Sequence, residues 1–480
     1  MKKISALLVA FVAILAGCGS SGDGADTAST DVPTISWYLI GAAPAAELQV
    51  EEAMNEILVP EVGAKIDLVF YDYGEYEDKM NMKFSANEPM DIVFASPLPF
   101  EENVSSGKYL ALNDYLEDKD VLSETQKVIN EKFWDGVTID GNVYAIPTNK
   151  EIATQLYYLF DSSLVEKYDF DTTKVESMED TEPFLQAVLD GEGYAPTSND
   201  LNWNGLGKDL SLDCVASLSL QVCLDPEDPE AGYRWVYDIP GYQDQMEYID
   251  YLIDNGLMMS DTLDIVDFAT TDHAMIKQEG FPGAEVNWEK TFGKEYDVQP
   301  IGTPVVTTDS VRGSMNVISA TSENPELAAK VINEVNTNSE LRTIFAYGVE
   351  GTQWEYNEDG KIEFLDGASD YAVGVYEQGN FFTLPLAVGE PDDKWEQFEE
   401  LNTTSKESPA LGFAPDLSDF SAELANSSNM LEKHKITTML ANFDDSDTDI
   451  AAARKDLESV GFFDLIDEIN RQYEEFQTTK

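Results

Sequence analysis

The chain has 480 residues, 43% of them hydrophobic and 11% aromatic, so it can fill more than one core, since single cores stop growing near ~250–300 residues. With 92 acidic against 29 basic residues and a formal net charge of -63, it repels nucleic acid and anionic lipid and is a poor partner for an anionic ligand. Only two histidines occur, His273 and His434, which excludes a His-rich metal cluster and weakens any Ser/His/Asp or Cys/His catalytic scheme.

The chain opens with Lys2 and Lys3, then an unbroken small-and-apolar run over residues 6–16. Charge, a short apolar core and small residues in that order predict a secretory signal over residues 1–17. The run is too short for a comfortable membrane span, which needs ~20 residues. Leu15-Ala16-Gly17-Cys18 resembles a bacterial lipoprotein lipobox. That resemblance implies acylation of Cys18, palmitate included, and a mature protein anchored to the membrane by that residue. The alternative is a plain signal peptide in which Cys18 is incidental. Residues 18–33, rich in Gly, Ser, Ala and Thr, read as a flexible linker. The expectation is a soluble body on the extracytoplasmic face of the cell membrane, held by one end.

Residues 34–39 read as a first strand, with Trp37 assigned to the core. Val50, Met54, Ile57 and Leu58 recur at helical spacing, with Pro60 as the stop. Residues 66–70 alternate as a second strand, 75–86 read as a helix, and 91–95 as a short apolar strand. Strand, helix, strand, helix, strand at this spacing predicts an α/β fold with a parallel sheet, whose ligands lie beyond the strand ends. Residues 137–146 form a hairpin with Asp140-Gly141-Asn142 at its tip. A further strand over 155–160, helices over 164–168, 178–189 and 243–255, and a Gly/Pro loop over 281–288 follow. Residues 312–318 read as a strand, 326–336 as a helix, and 462–476 as a last helix.

Several of these stretches resemble one family. Trp37-Tyr38, Tyr71-Asp72-Tyr73-Gly74, Lys79-Met80-Asn81-Met82, residues 88–93, the strand and Asn324-Pro325 helix over 315–335, and Tyr347-Gly348-Val349-Glu350-Gly351 with Trp354 and Asn380-Phe381-Phe382 resemble extracellular solute-binding proteins of carbohydrate ABC importers. The similarity is to the lipid-anchored branch of family 1-like proteins, which carries an extra C-terminal helical region. The resemblance implies a two-lobe periplasmic-binding-protein-like fold with a hinge. It implies a first lobe over 34–150 and 302–348, a second over 151–301 and 349–409, and a helical region over 410–480. It also implies a non-catalytic monomer that closes on a sugar and hands it to the importer's permease subunits, without cofactor or metal.

A sugar offers apolar faces to aromatic rings and hydroxyls to carboxylates and amides. The candidate rings are Tyr73, Trp203, Trp288, Trp354 and Phe382; the candidate polar groups are Asp72, Asn149, Asn202, Glu350 and Asn380. Asn149, Lys150 and Glu350 are also candidates for the hinge. Asp445, Asp447 and Asp449 alternate as in a calcium loop but lack its glycine and distal glutamate, so Asp447 or Thr448 is expected to cap the next helix. Cys214 and Cys223 are either a local disulfide or two buried thiols. Two other functions stay open: a surface-anchored glycoside hydrolase, whose paired carboxylates no local motif marks, and a binding protein for peptides or other small solutes.

Overall fold

Seven β-prone residues, Thr34–Ile40, form the parallel strand on which the first sheet is built; Lys65–Tyr71 pairs on one side and Ile92–Phe94 on the other. In this computed structural model residues 32–96, 98–198, 211–215, 218, 221–259 and 268–479 are described. The sheet runs in the order Lys65–Tyr71, Thr34–Ile40, Ile92–Phe94, Met315–Ile318, Ile146–Pro147. Met315–Ile318 is antiparallel to both neighbours, so the expected parallel unit gains a strand returning from far along the chain. Trp37 is the tie between the two: its buried indole Nε1 donates to Asn316 Oδ1 at 2.9 Å, and its ring meets Phe345 edge-on at 5.1 Å. Helices Glu47–Glu61 and Tyr76–Ala86 make the crossovers. Pro60 lies in the last turn instead of ending the first of them, because the amide of Val62 still closes on Leu58 and only one intrahelical bond is lost. Asp140 and Gly141 both take positive φ, at 50° and 77°, as the two-residue hairpin turn between Thr138–Ile139 and Asn142–Val143 requires.

The second sheet runs Met275–Gly280, Thr154–Asp161, Tyr296–Val306, Lys406–Glu407. Its first two pairings are antiparallel and its last is parallel. The stretch read as a Gly/Pro loop is in part helical: Glu285–Phe292 begins just after Pro282-Gly283, with Trp288 on its buried side. The turn residues mark only the start of that helix. A disulfide joins Cys214 to Cys223 across two short antiparallel strands.

Two large apolar cores result. Ile35, Leu39, Met54, Ile92, Val317 and Phe345 belong to the first. Phe160, Phe184, Trp235, Met246, Phe462 and Ile469 belong to the second, so the C-terminal helices are built into it. Those helices are Ser421–Thr438, Ser446–Glu458 and Phe462–Thr479. The cap of the second is Asp445, not Asp447 or Thr448: Asp445 accepts the amide of Thr448 at 3.0 Å. Asp449 in turn accepts the amides of Asp444 and Asp445, at 2.8 and 3.2 Å. The alternating aspartates are therefore spent on a helix start.

Candidate functional site

Among the described residues, three passages that run between the two cores, around Thr154, Val305 and Lys406, lie side by side. Val305 pairs with Thr154 on one flank and with Lys406 on the other, and a register shift between Ile301 and Val305 bends the central passage. Asn402, 3% exposed, clamps the first passage: its Oδ1 accepts the amide of Ile152 at 3.0 Å and its Nδ2 donates to the carbonyl of Lys150 at 2.7 Å. Asn149 and Asn380 hold the entry. Asn149 Nδ2 donates to Asn380 Oδ1 at 3.0 Å and to the carbonyl of Val128 at 3.0 Å, while Asn380 Nδ2 reaches the carbonyl of Asn336 at 3.1 Å. Three buried amides at one crossing fix where the backbone bends, because each unmade bond there costs more than it would in water.

A cavity of about 600 Å³ opens over these passages. Lys150, Glu151, Thr303 and Val305 line it along the passages; Glu279 and Phe281 reach it from the end of the second sheet, and Asp309 and Tyr376 from the side of the first core, on which Tyr376 packs through Phe94 although it falls in the 349–409 stretch expected in the second lobe. The short helix Thr308–Arg312 that carries Asp309 starts on a capping box between Thr307 and Ser310. Asp309 is open to the cavity, yet the protein walls around it push its carboxyl up from the ordinary range, against the pull of Arg312. Behind the wall, Asp213 accepts a hydrogen bond from Ser408 and is pushed up to about 7 by burial. Tyr376 is set by its backbone: its carbonyl accepts from Ser314, and its ring stands edge-on to Phe94 at 6.0 Å. Gly280 is on the wall because Trp288 lies directly beneath it; a Cβ there would come within 2.3 Å of the indole.

The sequence-predicted residues within the described stretches fall in five places. Tyr73, 66% exposed, reaches the cavity mouth, where its hydroxyl meets that of Tyr376 at 3.0 Å; Asp72 is exposed beside it. Asn149 and Asn380 are buried at the crossing. Trp288 is 9% exposed and packs on Tyr157 at 5.5 Å. Trp354 is buried with its Nε1 donating to the carbonyl of Gly348 at 2.8 Å, and Glu350 is exposed next to it in a local bridge. Phe382 leans on Trp395 at 6.1 Å. Trp203, Asn202 and Cys18 lie outside the described residues. Sequence reasoning missed Tyr376, Asp309 and Glu279, and singled out Phe281 only as part of a loop; no local motif marks them, because they meet only when the two sheets are placed. Neither histidine is at the cavity: His273 Nε2 is 2.6 Å from the Tyr296 hydroxyl, and His434 is 3.0 Å from Asp456.

The resemblance noted above is borne out along the chain. A carbohydrate ABC transporter substrate-binding protein of Streptococcus pneumoniae serotype 4 (strain ATCC BAA-334 / TIGR4) is 26% identical over 499 residues, covering 99% of this chain and 98% of that protein. Residues 409–478 match the family described as a domain of unknown function, DUF3502. The N-glycan transport solute binding protein NgtS of S. pneumoniae has the same two-lobe α/β fold: 24% identity, a TM-score of 0.84, and coverage of 93% of this chain and 99% of that one. Its complex with Man5GlcNAc superposes with a TM-score of 0.70 at 24% identity, over 93% of this chain and 99% of that one. Among the described residues no helix is long and apolar enough to cross a membrane.

Proposed function

We propose that this chain is the extracytoplasmic capture component of a carbohydrate ABC importer, binding a neutral oligosaccharide between its lobes and altering no bond in it. The observation that carries this reading is the cavity seated directly over the three passages. Motion about those passages changes the cavity's width, which is how a hinged protein encloses a ligand. Rings reach the cavity from both sides, Tyr376 with Tyr73 from the side of the first core and Phe281 from the side of the second sheet, so closure sandwiches a pyranose face. Asn149 and Asn380 act at the hinge. Trp203 remains a candidate contact, and Cys18 the site of the lipid anchor. The permease subunits receive the closed monomer.

A thermal-shift panel of neutral oligosaccharides, with product analysis of the same mixtures, tests this. Stabilisation by a sugar that is recovered intact supports capture; release of shorter sugars overturns it in favour of a hydrolase, and a shift only with peptides overturns the ligand class. Replacing Cys18 by alanine is expected to free the protein from the membrane into the medium; retention on the membrane overturns the anchor.

A further inference from the structure

The polar groups facing the cavity are largely committed to one another. Lys150 pairs with Glu151 at 3.1 Å, and the other carboxylate oxygen of Glu151 is closed off from solvent. Thr307 and Ser310 hold each other in the capping box. Ser211 Oγ accepts the amide of Thr303 at 2.9 Å, and the hydroxyl of Tyr376 is shared with Tyr73. Arg312, whose charge acts on Asp309, is itself held by Glu101 and donates its Nε to the carbonyl of Gly136 at 2.7 Å. Asp309 differs from all of these. It is open to the cavity, and among the described residues its carboxylate has no hydrogen bond and no ion pair.

A carboxylate without partners in a walled cavity has one chemistry to offer when ionised: it accepts, through two oxygens. Adjacent hydroxyls of a sugar match that fork. A second carboxylate does not: it brings no donor, and the nearest cation, Arg312, is already held by Glu101. Lys150 is the single cationic side chain among the described residues lining the cavity, and Glu151 neutralises it. Building on the capture reading above, we infer that Asp309 is the specificity-determining acceptor of this cavity: it takes paired hydroxyls of a neutral oligosaccharide and bars glycans that carry a uronate or sialyl group there. The two-oxygen contact supplies affinity; the like charge supplies rejection, which is the larger part of discrimination.

Calorimetric titration of the full chain tests this with Man5GlcNAc and other neutral oligosaccharides, each against a counterpart ending in glucuronate. The wild type is expected to favour the neutral member of a pair by about a hundredfold. Asp309→Asn is expected to narrow that preference by about tenfold, and Asp309→Ala to weaken neutral binding by about tenfold as well. Unchanged melting temperatures separate both effects from misfolding. If a neutral sugar binds while both variants keep its affinity and the same preference, this inference falls and the capture reading stands. If the wild type binds no sugar of either kind, both fall.

Discussion

Removing the amide of Asn402 tests whether the crossing is held as described. The side chain makes two bonds to the first passage and none of its own helix could replace them. Asn402→Ala leaves the amide of Ile152 without a partner in a buried site, at a cost of about 1–3 kcal/mol, and the half-buried carbonyl of Lys150 adds about 1 kcal/mol. The expected loss is thus about 2–4 kcal/mol. Urea unfolding should be followed by both far-ultraviolet circular dichroism and tryptophan fluorescence, since two cores need not melt together. Asn402→Asp sharpens the test. An ionised aspartate keeps the acceptor for Ile152 but turns an oxygen against the carbonyl of Lys150, so it is expected to be destabilised at pH 8. At pH 4 the protonated acid donates again and recovers part of the loss. A loss under about 0.5 kcal/mol for alanine, or an aspartate variant that behaves alike at both pH values, refutes the clamp.

Burial pushes the carboxyl of Glu377 up to about 8, offset in part by the amide of Ile40. Its folded value is raised above the unfolded one, so its share of stability is complete at low pH and is lost as pH rises through about 8. Glu377→Gln is therefore expected to gain a few kcal/mol over the wild type at pH 9 and little at pH 4 in urea titrations; an equal gain at both ends contradicts the assignment. Tyr376→Ala is expected to weaken sugar binding by about tenfold through lost ring stacking while moving the melting point little, and an unaltered affinity in calorimetry rules out the platform. Reduction of Cys214–Cys223 opens a link spanning 9 residues and is expected to cost about 2–3 kcal/mol, read as a lower melting point in dithiothreitol; no shift argues against the bond.

Much of the first lobe was legible because parallel sheets write themselves as apolar runs spaced by helices: Trp37, Leu68 and Val93 all sit where their patterns put them, in strands buried by the crossovers. The hairpin tip was legible for the same local reason, since Asp140-Gly141 tolerates positive φ. Ring direction was not. Trp288 and Trp354 stand near Gly and Pro exactly as exposed loop aromatics do, yet one lies under Gly280 and the other bonds the carbonyl of Gly348. A flanking glycine says that the backbone is free to turn, not which way the indole then faces. Asp309 and Tyr376 were illegible for a different reason. Each belongs to a segment with no motif, and their facing Glu279 and Phe281 depends on two sheets joined through passages far apart in the chain.

The last helix, Phe462–Thr479, contributes Phe462, Leu465, Ile469 and Tyr473 to the same apolar interior that Tyr158 and Phe160 begin. A chain emerging from its amino end therefore leaves that interior partly uncovered until this helix is free. Fragments that stop short of Phe462 would expose the part of that interior which this helix covers, the kind of apolar surface that makes an incomplete fold prone to aggregate. For this architecture, residues far along the chain help to close a core that the middle begins.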